Sequence, residues 1–183
     1  MAKVSVEAIK TLREKTGAPL GDVRSALAAA DGDEAKAVQL LKQKGFEAAR
    51  KRQDRATGAG RIDSYVHHDG RVAALVEVNC ETDFVARLPE FQQFCRDVAM
   101  QVASQRPLCV RKADLAPRHL EAAKGMSKSR EEFAEEACLL EQPFIKDQGQ
   151  TIAEYLTSLI AKTGENIVVR RFTRFALGEE PSV

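Results

Sequence analysis

Ile62-Asp63-Ser64-Tyr65-Val66, the segment His67-His68-Asp69-Gly70-Arg71, and Val72-Ala73-Ala74-Leu75-Val76-Glu77-Val78 decide the fold of this chain. Both flanks are rich in β-branched residues, and Asp-Gly between two such runs signals a hairpin closed by a type I′ turn. Two antiparallel strands are expected. Beyond them, Pro89 suits the first turn of a helix, where its missing N–H leaves no bond unmade. Phe91, Phe94, Cys95, Val98, Ala99 and Val102 then recur at helical spacing as far as Arg106-Pro107, so one face of this helix should pack on the sheet.

Further toward the C-terminus, Leu108 to Ala116 is irregular. Helix-forming residues extend from Pro117 to about Leu140, interrupted near Gly125-Met126-Ser127. Thr151 to Lys162 carries Ile152, Tyr155, Leu156, Leu159 and Ile160 at helical spacing, with Gly164 as a cap. The period then shortens to about two in Ile167-Val168-Val169-Arg170-Arg171-Phe172, which reads as a third strand. Strands early and late with helices between them give an α+β class, a small three-stranded antiparallel sheet covered on one face by helices.

Upstream, three short helices are marked by Val6, Ile9 and Leu12, by Leu20, Val23 and Leu27, and by Val38 and Leu41. Gly17 and Gly45 read as left-handed caps and Asp33 as an N-cap. The division expected is a three-helix module over 1–46, a basic linker over 47–60, an α+β core over 61–178 and a tail over 179–183. The linker holds Arg50, Lys51, Arg52 and Arg55 before Gly58-Ala59-Gly60, and reads as a helical extension followed by a hinge.

Composition narrows the classes of function. The 28 basic residues nearly balance 27 acidic ones, so no global field draws the chain to nucleic acid or anionic membrane. A cluster such as Arg50 to Arg61 could still serve as an RNA-binding arm, but no aromatic side chain interleaves it. Cys80, Cys95, Cys109 and Cys138 form no C-x-x-C pair, which points to reduced thiols rather than a zinc or disulfide framework. No run reaches the about 20 apolar residues of a membrane-spanning helix, and the first residues lack a signal-peptide core. A cytoplasmic location is expected.

No set of titratable residues points to an enzyme, a cofactor or a metal. His67 and His68 are adjacent, and strand geometry would aim their side chains to opposite faces. Cys80 stands beside Glu81 and Asp83, whose charges would suppress a nucleophilic thiol. Phosphate loops of the G-x-x-x-x-G-K-[ST] and G-x-G-x-x-G kinds are missing from the sequence. Thr82-Asp83-Phe84-Val85 lies between the second strand and the helix at Pro89. On residue type alone, Phe84 serves equally as a core plug under that corner or as an exposed contact.

Several separated motifs carry a resemblance. Leu12-Arg13-Glu14-Lys15-Thr16-Gly17-Ala18 with Asp22, Arg24, Ala26 and Leu27 forms the first, and Tyr65-Val66-His67-His68 with Gly70-Arg71-Val72 leads into the second, Val76-Glu77-Val78-Asn79-Cys80-Glu81-Thr82-Asp83-Phe84-Val85-Ala86-Arg87. Glu141-Gln142-Pro143-Phe144-Ile145-Lys146-Asp147 and Ala161-Lys162-Thr163-Gly164-Glu165-Asn166-Ile167-Val168-Val169-Arg170-Arg171-Phe172 complete the order. In these places the chain resembles the bacterial elongation factor Ts family, in its short form with one copy of the core. The resemblance implies a UBA-like N-terminal module and a guanine-nucleotide exchange factor that acts on elongation factor Tu. It implies docking on the Tu GTPase domain through Leu12, Arg13, Thr16 and Gly17. Thr82, Asp83, Phe84 and Val85 become a wedge that disturbs the magnesium and phosphate site of the partner. A homodimer would supply a second core, and Thr173 occupies a place where a cysteine able to link subunits would be sought.

Overall fold

Helix α1 (Val6–Thr16) begins where the Ser5 hydroxyl accepts a hydrogen bond from Ala8 N at 3.1 Å and ends at Gly17, whose φ of +64° is the expected left-handed cap. Helix α2 (Leu20–Ala29) follows, then α3 (Glu34–Arg50), capped by Asp33 through a 3.0 Å bond from Lys36 N. Leu12, Val23, Ala26, Leu27, Ala37 and Leu41 close the small core between them. This computed structural model describes residues 4–117, 119, 121 and 129–179. It divides into two compact units, residues 1–56 with 156–167, and residues 57–155 with 168–183.

Two details of the first unit concern Gly45 and the segment that follows α3. Gly45 is no cap: α3 runs through it to Arg50, and a Cβ there would stand 3.3 Å from Thr157 Cγ2. Glycine is used for close approach rather than for handedness. Beyond α3 the chain turns and is tied down, since Arg52 Nε donates to Gly164 O at 2.9 Å and Asn166 Nδ2 donates to Gln53 O and Arg55 O at 3.2 and 2.8 Å.

In the second unit, strands β1 (Ala59–Val66) and β2 (Val72–Cys80) pair antiparallel, with Ile62 opposite Glu77 and Tyr65 opposite Ala74. Their turn is not type I′, because Gly70 alone takes a positive φ whereas that turn needs two such residues. Five residues intervene; Gly70 N donates to His67 O at 2.8 Å, and Asp69 Oδ1 accepts from Arg71 N at 2.9 Å. The His67 and His68 rings do not diverge either. Their centroids lie 4.3 Å apart, since both residues are past the end of the strand and escape its alternation.

A one-turn helix α4 (Asp83–Ala86) precedes α5 (Pro89–Gln105), which lies across β1 and β2. Every residue expected on its inner stripe is buried, as are Ala74, Val76, Val78 and Cys80 on the facing side of β2. After a short helix α6 (Arg130–Ala137) comes a hairpin that the periodicity did not reveal, β3 (Pro143–Phe144) with β4 (Asp147–Thr151). Helix α7 (Ile152–Thr163) and strand β5 (Ile167–Ala176) follow. The expected break at Gly125-Met126-Ser127 lies outside the described residues.

Strand β5 completes a three-stranded sheet in the order β1-β2-β5. Its sense follows from two contacts, Arg171 Nε to Glu77 Oε2 at 2.6 Å and Leu177 N to Arg71 O at 2.9 Å. As one partner advances the other retreats by the same amount, so the strands run antiparallel. With alternate residues facing α5, the α+β arrangement expected from the sequence is the one observed.

Gly60 in β1 has a φ of +151°, and an added Cβ would meet Val78 O at 2.4 Å and Asn79 Cα at 2.8 Å. Backbone atoms cannot yield as a flexible side chain can. Gly60→Ala should therefore destabilise the chain by about 2 kcal/mol or more, measured as a lowered midpoint in urea unfolding.

Candidate functional site: the strand-to-helix corner and the N-terminal groove

The end of β2 and the start of α5 are both held in the core, so the residues between them must turn a corner in a fixed space. Cys80 Sγ donates to Thr82 O at 3.1 Å, and the Thr82 hydroxyl caps α4 by accepting from Val85 N at 3.4 Å. Asp83 and Arg87 close the turn from outside with a 2.7 Å ion pair. Val85 is the inward anchor, 7% exposed.

Phe84 points the other way. It is 77% exposed, although phenylalanine is among the side chains with most to gain from burial. Of the two roles open to it, the core plug is ruled out. Leu88, also partly exposed, extends the apolar surface beside the Asp83–Arg87 pair. The four residues singled out here thus divide: Phe84 and Asp83 on the surface, Val85 beneath them, and Thr82 half-buried as the cap.

In the N-terminal module, Arg13 and Gly17 do border a common surface. A groove of about 540 Å³ is lined by Val6, Ile9, Lys10, Arg13, Glu14, Gly17, Leu20 and Lys162. Val6 and Leu20 expose large apolar areas in it, and Lys10, Arg13 and Lys162 give it a basic rim. Leu12 is not part of that surface. At 0% exposure it belongs to the core of the module and holds from beneath the turn that carries Arg13. Thr16 is half-buried, its hydroxyl donating to Leu12 O at 2.7 Å.

Elsewhere the chemistry is sparse. Among the described residues, no group of three His, Cys, Asp or Glu side chains could hold a metal ion, and no helix is long and apolar enough to cross a membrane. Within the basic arm, Arg52 is committed to Gly164 O and Ala48 O.

Comparison with known proteins gives the family. The family model described as Elongation factor TS matches residues 34–132 and 129–179. An elongation factor Ts of Anaeromyxobacter sp. (strain Fw109-5) is 46% identical, covering 98% of this chain and 90% of its own length. Proteins of the same name from Carboxydothermus hydrogenoformans and Rubrobacter xylanophilus are each 43% identical, covering 96% and 94% of this chain and 90% and 98% of their own lengths. The chain belongs to the elongation factor Ts family.

One feature of the second unit was not legible in the pattern of its residues. A buried polar network joins α5 to the Glu141-to-Asp147 motif: Gln101 Nε2 donates to Gln142 Oε1 and Pro143 O, both at 3.1 Å, and Gln101 Oε1 accepts from Ile145 N at 3.0 Å. Asp97, also buried, accepts from Lys146 Nζ at 2.7 Å and Tyr155 Oη at 3.2 Å. Burial first, and the Asp97 charge after it, raise the Tyr155 phenol above its ordinary value. Polar residues on the inner face of α5 were the only available signal.

The corner separates structural from exposed side chains within one turn of helix. Phe84→Ala should change unfolding free energy by no more than about 0.5 kcal/mol, while Val85→Ala should cost about 1–2 kcal/mol. Paired denaturation curves of the two variants check this.

Proposed function

We propose that this chain is the guanine-nucleotide exchange factor of elongation factor Tu, and that Phe84 with Asp83 is its wedge. The reading rests on one observation above others, a phenylalanine 77% exposed on a corner fixed at both ends. The N-terminal groove, apolar with a basic rim, docks on the GTPase domain of Tu. The wedge enters between helices of that domain and displaces the elements that hold magnesium and the diphosphate. No chemical bond is made or broken, so the chain is a binding catalyst of release and not an enzyme of covalent chemistry.

Linkage sets the size of the effect. A factor that binds nucleotide-free Tu more tightly than GDP-bound Tu must weaken GDP by the same ratio. Accelerating release about 10⁴-fold requires about 5.5 kcal/mol of differential binding. One phenylalanine side chain supplies about 1.5–3 kcal/mol on burial. The rest comes from the wider interface and from weakened coordination of the magnesium ion that the partner holds.

The outer face of the sheet supports a homodimer. Ile62, Val66, Leu75 and Phe175 are exposed apolar side chains on strands β1, β2 and β5, with the Arg171–Glu77 pair among them. Antiparallel register puts exposed Thr173 beside Leu75, where no thiol can crosslink two copies. The dimer is noncovalent, a second sheet laid on the first.

Two measurements test these statements. Phe84→Ala should still bind Tu within a few-fold of the wild type, yet accelerate release of a fluorescent GDP at least tenfold less; parallel loss of affinity and exchange would make Phe84 a docking residue instead. Leu75→Glu with Phe175→Glu should halve the mass seen by sedimentation equilibrium, and a wild-type chain that sediments as a monomer would remove the dimer.

A further inference from the structure

Cys109 and Cys138 are far apart in sequence, and nothing in their spacing pairs them. In the folded chain their sulfurs lie 3.5 Å apart. The two residues meet in an isolated parallel bridge, with Cys109 N donating to Ala137 O at 3.3 Å and Leu139 N donating to Cys109 O at 2.9 Å. Facing positions across such a bridge have Cα separations of about 5 Å, inside the about 4.4–6.8 Å that a disulfide spans. Joining the sulfurs needs an approach of about 1.5 Å, which side-chain rotation supplies without breaking the backbone bridge.

Their surroundings set this pair apart from the other thiols. Cys109 and Cys138 share a cluster with Leu115, Phe133, Ala134 and Ala137, separate from the layer between α5 and the sheet. Cys80 and Cys95 belong to that layer, where Cys80 Sγ is engaged by Thr82 O. Cys109 Sγ bonds to the Cys138 sulfur and to Arg111 O at 3.3 Å.

We propose that Cys109 and Cys138 form a reversible oxidation site, which hydrogen peroxide converts to an intramolecular disulfide and a small thiol reductant restores. Cys109, the more exposed at 9% against 0%, reacts first. Its thiolate attacks one peroxide oxygen, the O–O bond breaks, and the departing hydroxide takes up the thiol proton as water. The Cys138 sulfur then attacks the sulfenic sulfur; the S–S bond forms, the S–O bond breaks, and the hydroxyl leaves as water with the Cys138 proton. Two thiols are oxidised by two electrons in all, and one peroxide is reduced to two waters.

Burial makes the site slow. It pushes the Cys109 thiol up to about 12 and the Cys138 thiol upward, so little thiolate exists at neutral pH and only sustained oxidant is recorded. Once formed, the bond closes a loop across a separation of 29 residues and restricts the unfolded chain.

The experiment exposes the full chain to hydrogen peroxide and follows it by intact mass, peptide mapping and thermal melting. The expected product has lost two hydrogens, carries one crosslink between the Cys109 and Cys138 peptides, melts at a higher temperature than the reduced chain and reverts with dithiothreitol. Cys109→Ser and Cys138→Ala should each abolish the crosslink while keeping the circular dichroism of the wild type. If either variant fails to fold, mapping of the wild-type chain decides alone. A crosslink through Cys80 or Cys95, links only between chains, or oxygen addition with no crosslink would each overturn the assignment.

Discussion

The packing of α5 on β2 is the constraint from which the second unit is built. Phe91, Phe94, Val98 and Val102 on one side, and Ala74, Val76 and Val78 on the other, are almost wholly removed from water. Each large side chain so buried contributes about 1.5–3 kcal/mol, which together is far more than any surface pair supplies. With the end of β2 and the start of α5 fixed by that contact, the residues from Cys80 to Leu88 have little freedom. A one-turn helix with Val85 inward is a compact way to join them, and it puts Phe84 outward. Exposure of the Phe84 ring is thus a by-product of packing beneath it.

The polar network that α5 buries beside its apolar stripe obeys a different rule. Gln101 and Asp97 lie in the interior, where an unpaired amide or carboxylate costs several kcal/mol, on the order of 1–3 for the neutral group and more for the charge. Backbone groups of the 142–145 segment, the Lys146 ammonium and the Tyr155 hydroxyl answer those needs. Apolar packing would tolerate a shift of α5 by some fraction of a turn; these directional bonds do not. They define where the β3–β4 hairpin must sit, which gives the Glu141-to-Asp147 motif a structural role.

Periodicity made the hairpin, α5, α7 and β5 legible because each buries one face, and one-sided burial writes a repeat into the sequence. Local turn chemistry made the Gly17 end of the first helix and the Asp33 cap legible in the same way. The failures arise where a distant contact, the exact end of an element or the inner face of a helix decided the outcome. Gly45 looked like a helix end, and only the approach of Thr157 reveals it as a spacer. Strand alternation was extended to His67 and His68, one step past the point where the ladder stops. The β3–β4 hairpin is short, polar and held by Gln101, so it left no alternation to find. Leu12, grouped with its surface neighbours because the motif is contiguous, lies on the inner side of the helix that presents them.

Phe84 obeys none of these rules, and that is the reason it carries weight. Left in water, its ring forgoes about 1.5–3 kcal/mol that inward rotation of the corner would recover in folding. The fold declines that gain because Val85 already fills the space beneath, and moving α4 would undo both the Thr82 cap and the Asp83–Arg87 pair. The same free energy therefore remains available at the surface, to be realised only when another protein covers the ring. Rigidity of the corner matters as much as exposure. A ring on a mobile loop would lose rotational freedom on insertion and return part of the gain as entropy, whereas a ring on a capped turn has been ordered in advance. For the wedge proposed above, what counts is how much of the burial energy survives the act of binding, and a preformed corner retains most of it.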